Sequence, residues 1–369
     1  MQPTDEHLDA AIDDAKRTEE EREARKRDAQ EQLKLYKLKQ QLRTEKLARK
    51  ELLRELKLSE ERVELLAATQ VAEVEIPPIE VPKVRKKGTK VAATVSMCSD
   101  WHVEQNVDPI KVDGLNEFNL EIAERRIDRL ITLTIDQYHR DSKQHKILQT
   151  VLAFLGDLIS GYIHEELKER NYLAPAPAMI FVQRKARQFI ETLKVETAIE
   201  RIDVPCVSGN HDRSTKKKRI DSGPENSFAW MMYQTLAEIY QGDPRVNIHA
   251  PAANTIYQMI FGRRWRLVHL DQCNYKSGVG GVGVPVLRKV NKWNETRNAY
   301  MTIGGHFHEA NFLAGHTIIN NCLVGYDSFA EWIGARYSAP AQLNLLVTPE
   351  EGLMGIRSLQ LDKDMREVA

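Results

Sequence analysis

Aspartate, asparagine and histidine recur at the C-terminal ends of five apolar segments. Asp100 and His102 follow VAATVSMCS, and Gly156 and Asp157 close KILQTVLAFLGD. Gly209, Asn210, His211 and Asp212 follow IDVPCVS, His269 follows RWRLV, and Gly305, His306 and His308 follow AYMTIG. Carboxylate, amide oxygen and imidazole without a thiolate form a donor set for hard to borderline divalent ions such as Mn, Fe or Zn. In Asp-Trp-His and His-Phe-His the two side chains stand at i and i+2, so an extended backbone turns both to one side. Metal-assisted chemistry is what such residues can do.

Bringing them together is a task for strands. Apolar strands alternate with amphipathic helices from about residue 91: a strand over VAATVSMC, a helix over NLEIAERRIDRLITLTIDQY, a strand over KILQTVLAFLG and a helix over MIFVQRKARQFIETLKVETAI. Further strands are expected at IDVPCVSGN, RWRLVHLD, AYMTIGGH and TIINNCLVG, and QLNLLVTPEEG and MGIRSLQL form a hairpin turning at Glu350–Gly352. This alternation indicates an α/β layer architecture. Ligand sites of such sheets lie at the carboxyl ends of the strands, where the five motifs fall.

The ordered set Asp100-Trp-His102, Gly156-Asp157, Gly209-Asn210-His211-Asp212, His269 and Gly305-His306-Phe-His308, spaced by roughly 40–60 residues, resembles the motifs of the calcineurin-like metallophosphoesterase superfamily. The resemblance covers about residues 93–362 and extends to phage-type members and the SbcD-type repair nucleases. It implies a four-layer α/β/β/α sandwich holding two divalent metal ions, Mn first, with Fe or Zn as alternatives. Asp100, His102, Asp157 and His308 would hold one ion, and Asp157, Asn210, His269 and His306 the other, with Asp157 between them. His211 would be catalytic without being a ligand, oriented by Asp212 or a neighbour. Two departures stand out: Val268 precedes the lone histidine where relatives carry Gly, and Ser160 replaces a second acidic residue and takes a supporting role. The activity implied is a two-metal phosphodiesterase or nuclease, with a phosphomonoesterase as the alternative.

Several features bear on partners. Arg213, Lys216, Lys217, Lys218 and Arg219 follow the GNHD motif at the rim, where phosphate-backbone contact competes with a solvated loop. His164 is a further candidate to face substrate. Gly278-Val-Gly280-Gly281-Val-Gly283 matches GxGxxG in form, but Pro285 argues against the helix that a dinucleotide site needs. A loop shaping access to the metals is the expectation there.

The 369 residues carry 53 basic and 53 acidic side chains, so phosphate contact must come from local patches rather than overall charge. Residues 1–70 hold 16 Lys/Arg and 17 Asp/Glu, and residues 5–68 lack Pro and Gly, which predicts a long charged helix. A heptad places Leu35, Leu42, Arg49, Leu56 and Val63 at a, with Leu38, Glu45, Leu52, Ser59 and Leu66 at d. That pattern predicts a short self-associating coiled coil. Residues 71–92, with Pro77, Pro78 and Pro82 and a basic end at Lys83, Arg85, Lys86, Lys87 and Lys90, form a linker, and residues 363–369 a tail. Four scattered cysteines, a polar acidic start and no run of the roughly 18–20 apolar residues that a membrane span needs fit a cytoplasmic protein without membrane partners.

Overall fold

The computed structural model describes residues 90–273 and 281–362. In the N-terminal segment it describes residues 17, 19, 22–24, 26–28, 30–32, 34–46, 49–54, 56 and 57. The chain divides into two units, Met1–Val84 and Arg85–Ala369. In the first, every described residue is helical and exposed. Val63, Ser59 and Leu66 of the heptad, the linker prolines, the basic residues 83–87 and the tail all lie outside the described residues.

The second unit is a mixed α/β structure with two sheets. Its first sheet has the order β11-β10-β1-β2-β3-β4 and its second β5-β6-β7-β9-β8. The strands of the first are β1 (Lys90–Cys98), β2 (His145–Phe154), β3 (Arg201–Pro205), β4 (Val246–His249), β10 (Ala341–Thr348) and β11 (Gly352–Gln360). β1 to β4 run parallel in sequence, while β10 joins β1 antiparallel and carries the β11 hairpin. The second sheet comprises β5 (Thr255–Ile260), β6 (Arg263–Val268), β7 (Met301–Gly304), β8 (Asn311–Leu313) and β9 (Thr317–Ile319), with β6, β7 and β9 parallel. β1 starts at Lys90, inside the expected linker, because Lys90–Ala92 pair with His145–Ile147.

Alternation along the strands builds separate cores. Val95, Met97, Val151, Ala153 and Leu345 of the first sheet share one apolar cluster with Trp265, Leu267, Met301, Ile303 and Ile318 of the second. Opposite-facing residues such as Leu152, Phe154, Ile202 and Val204 pack with three helices, α1 (Leu120–Ser142), α3 (Pro175–Glu196) and α4 (Phe228–Tyr240), while the short α2 (Glu165–Arg170) buries none of its residues. A third cluster sets Val286 and Val290 of α5 (Gly283–Thr296) against Val268 and Ile319. α1 begins where the Asn119 side chain accepts the Ile122 N–H at 2.9 Å, and its buried stripe of Ile127, Leu130 and Ile131 follows helical spacing. No helix among the described residues is long and apolar enough to cross a membrane.

The glycine-rich stretch departs from expectation. α5 opens directly after the glycines and carries Pro285 in its first turn, where a missing N–H costs no helical bond. Its connection from β6 to the parallel β7 is a strand–helix–strand crossover. Gly278 nevertheless lies ten residues beyond the end of β6 at Val268, too far for a phosphate-binding turn on that strand. Residues 274–280, including the proposed access loop, lie outside the described residues.

Candidate metal centre

The loops after β1, β2, β3, β6 and β7 meet at one edge. Asp100 N–H donates to the Gly156 carbonyl at 3.0 Å, His102 N–H to the Asp157 carbonyl at 3.3 Å, and Gly305 N–H to the His269 carbonyl at 3.3 Å. Close approach is enforced by small residues. A methyl on Gly209 would strike the Asp157 carboxylate at 2.1 Å, and one on Gly305 would strike that of Asp100 at 2.3 Å.

Two groups of donors result: Asp100 with His102 and His308, and Asp157 with His269 and His306, each with its ligand atoms within 4.8 Å of one another. Asp100, His102, Asp157 and His269 are buried, whereas His306 and His308 are partly open. The Nε2 atoms of His102 and His308 face each other at 3.2 Å, and His308 Nε2 lies 3.5 Å from Asp100 Oδ1. His269 Nε2 stands 2.8 Å from Asp157 Oδ2, while His269 Nδ1 lies 2.7 Å from the Leu155 carbonyl. A carbonyl only accepts, so Nδ1 carries the proton and Nε2 presents a lone pair to a carboxylate. Something positive must sit between them, either a second proton or a cation.

The backbone is strained at the same places. Of nine described non-glycine residues with positive φ, five are Asp100 (53°), His102 (45°), Asp157 (52°), His306 (77°) and His308 (55°). A left-handed conformation costs about 1–2 kcal/mol for a side-chain-bearing residue. Such strain clusters at functional sites, where the surrounding structure holds it.

Electrostatics agree with the geometry. Burial opposes charge on His269, but the Asp157 carboxylate outweighs it and pushes the ring up to about 10. Burial likewise works against the charged form of Asp157, yet His269, His211 and His102 hold its carboxyl well below the usual range. His306 is pushed down to about 4, by burial first and then by His269. The donor set fits divalent ions of the hard to borderline kind. Asn210 adds a sharper observation: its Oδ1 is buried and has no hydrogen-bond partner. An orphaned amide oxygen beside these groups is what a ligand lacking its ion would show.

Around this edge no protein-family model matches the chain, and no curated protein matches it. Solved structures do resemble it. Vps29 from Entamoeba histolytica, complexed with zinc, matches at 12% identity and a TM-score of 0.28 over 73% of this chain and 99% of its own. A hypothetical protein from Pyrococcus horikoshii OT3 matches at 10% and 0.37, over 75% and 91%. Sulfate thiohydrolase SoxB from Thermus thermophilus, in complex with glycerol, matches at 11% and 0.27, over 75% and 58%. Function is therefore read from this chain's own side chains.

His211 stands beside both groups. Its ring meets that of His102 edge-on at 4.9 Å, and its Nδ1 lies 3.0 Å from the Ser160 carbonyl. The orienting contact therefore comes from Ser160, not from Asp212. Asp212 is fully buried and accepts four backbone N–H groups: Asp157 and Gly209 on Oδ2 at 2.9 and 2.7 Å, Leu158 and Ile159 on Oδ1 at 3.0 and 3.4 Å. It bolts the β2 loop to the β3 loop. Burial and the neighbouring Asp157 carboxylate push it up to about 7 despite those donors. Ser160 Oγ lies 3.1 Å from His102 Nδ1, supporting that ring from behind.

The rim residues divide. Arg213 turns inward, its guanidinium donating to the carbonyls of Asn210 and Thr215, and Lys218 pairs with Asp271. Lys217 and Arg219 are exposed, and Lys216 is exposed with Glu165 at 3.7 Å. His164 is exposed, its ring 6.3 Å from that of His211.

Sequence reasoning missed Glu104, which is fully buried and whose Oε1 accepts the Ser160 and Gly161 N–H groups at 2.9 and 2.8 Å. Burial pushes it up to about 7. It also missed an amide network behind Asp100, in which Gln342 Oε1 accepts Ser99 N–H at 2.9 Å and Asn320 Nδ2 at 3.0 Å. An acidic residue two positions after the Asp-Trp-His motif is the available signal for Glu104. Nothing local marks Asn320 or Gln342.

Proposed function

We propose that this chain is a two-metal phosphoesterase with the helix–sheet–sheet–helix layering of calcineurin-like metallophosphoesterases, and that its substrate is a nucleic-acid phosphodiester. One observation carries the reading: two adjacent carboxylate–histidine groups, with five of their six members on strained left-handed backbone, at one edge of two sheets. The three apolar clusters support the layering.

Asp100, His102 and His308 would hold one ion, Asn210, His269 and His306 the other, and Asp157 would reach both. Divalent cations held there, Mn before Fe or Zn, would supply positive charge to the phosphate and would acidify an attacking water. The protein fixes each donor from behind: His269 through the Leu155 carbonyl, His102 through Ser160, and Asp100 through the His306 N–H at 3.0 Å. His211 donates Nδ1–H to Ser160, which leaves Nε2 to hold or pass a proton at the leaving oxygen.

Two surface features favour a polymer substrate. Lys216, Lys217 and Arg219 offer charge beside the GNHD loop. Phe329 and Trp332, 65% and 82% exposed with ring centres 6.3 Å apart, offer flat apolar faces for unpaired bases. Their short helix α6 (Ser328–Trp332) is capped by Asp327, which also accepts Gln105 Nε2 at 2.7 Å. Gln105 Oε1 accepts from Ser160 Oγ at 3.3 Å, so hydrogen bonds link the aromatic pair to the His102 support. The phosphomonoesterase reading is favoured by the inward engagement of Arg213 and Lys218, which removes two cations from the rim. The test is hydrolysis of single-stranded DNA, duplex DNA and a phosphomonoester by pure protein with Mn²⁺. Cleavage of DNA is expected; turnover of the monoester alone overturns the nuclease reading in favour of the second.

A further inference from the structure

The helix of the first unit carries a row of leucines that nothing among the described residues covers: Leu35, Leu38, Leu42, Leu52 and Leu56 are 52–66% exposed. On the heptad the row between residues 38 and 56 contains Leu38, Leu42, Glu45, Arg49, Leu52 and Leu56, all six within the described helix. The order is symmetric about residue 47 except in charge. Turned end for end, leucine falls on leucine and glutamate on arginine.

We propose that this helix pairs antiparallel with a second copy of the chain, in the register that sets Leu38 opposite Leu56, Leu42 opposite Leu52 and Glu45 opposite Arg49. Antiparallel coiled coils pack a against d, so these six positions form consecutive layers. A parallel pair would instead stack Glu45 on Glu45 and Arg49 on Arg49, two unmatched like-charge layers inside an apolar seam. In the reversed register each layer at the centre holds one carboxylate and one guanidinium, and the two-fold axis repeats the match. Glu45 and Arg49 are also i,i+4 neighbours within each helix, so four alternating charges meet around the axis.

Two terms oppose the pairing and shape its behaviour. Residues 32–57 carry nine Lys/Arg against three Glu, so the copies repel outside the seam. Salt should therefore strengthen association as it screens that repulsion, since the Debye length falls to about 10 Å at 0.1 M. The seam is also short, about 27 Å over its 18 residue steps, which makes the dimer concentration-dependent. Antiparallel pairing sets the two copies of residue 57 about 30 Å apart along the axis, where a parallel pair would bring them within about 10 Å.

The test uses the full chain, whose four native cysteines are buried. Leu38→Cys and Leu56→Cys chains, distinguished by size, should form a disulfide-linked dimer when mixed under mild oxidant and not when kept apart. Self-linking of either variant alone shows a parallel pair and overturns the proposal. In sedimentation equilibrium, Glu45→Arg or Arg49→Glu should each weaken dimerisation about ten-fold, and the double exchange should restore it. A double exchange no better than the singles, or a monomer mass at all concentrations and salt levels, also overturns it. None of these readouts depends on activity, so failure here leaves the phosphoesterase reading standing.

Discussion

The two units are built on opposite plans. Among its described residues the first keeps its leucines in water and has no buried charge, whereas the second buries Asp100, Asp157, His269 and Asp212 and covers its leucines on every sheet face. Exposed apolar surface and buried charge both cost free energy; the second unit offsets that cost by pairing Asp157 with His269 at 2.8 Å and giving Asp212 four backbone N–H donors, whereas the described leucines of the first have no cover among the described residues. The contrast sets two proposals side by side: cations at the clustered Asp and His donors of the second unit, and a second copy on the leucine row of the first.

Substitutions break this comparison in order of their expected size. Asp157→Asn removes the carboxylate proposed to reach both ions, so hydrolysis should fall below detection and metal content should drop, as measured by elemental analysis. His211→Ala should lower kcat by about 10²–10⁴-fold with metal content unchanged if, as proposed, the ring serves proton transfer and not ligation. Equal metal loss in both variants would show that His211 is a ligand. Asp212→Ala strands four backbone donors in the interior and should cost about 1–3 kcal/mol or more, read as a lowered Tm and weakened metal retention. Trp332→Ala should raise KM for single-stranded DNA about 5- to 10-fold and leave a mononucleotide ester untouched, the scale of one lost stacking contact. Removal of residues 1–70 should change neither metal stoichiometry nor kcat, while lowering the mass in solution. A metal deficit in that truncated chain would show that the two plans are not independent.

How far the sequence alone carries the account depends on whether a feature is local. The strand ends were legible because Asp100, Asp157, Asn210, His269 and His306 interrupt apolar runs, and an apolar run that stops on a polar residue is a local signal. β4, β5 and β8 are not legible in the sequence: they are short, and their exposed positions dilute the alternation, although Ile256, Gln258 and Ile260 do alternate inward. Neither α4 nor α5 is announced by its sequence, α5 because Pro285 reads as a breaker whereas it occupies the helix's first turn. Within the site, the donor residues could be named, but the bolt formed by Asp212 could not. Its four partners come from two loops separated by more than 50 residues. The left-handed backbone at His102 and His308 was equally silent, since neither position carries the glycine that would announce it.

Two cations sharing Asp157 would lie close enough for their electron spins to couple. The most direct measurement is electron paramagnetic resonance of stripped protein titrated with Mn²⁺. Loading should reach two ions per chain, and the isolated Mn²⁺ signal should give way to an exchange-coupled one as the second ion binds. Saturation at one ion, or two ions whose spectra stay uncoupled, would contradict it.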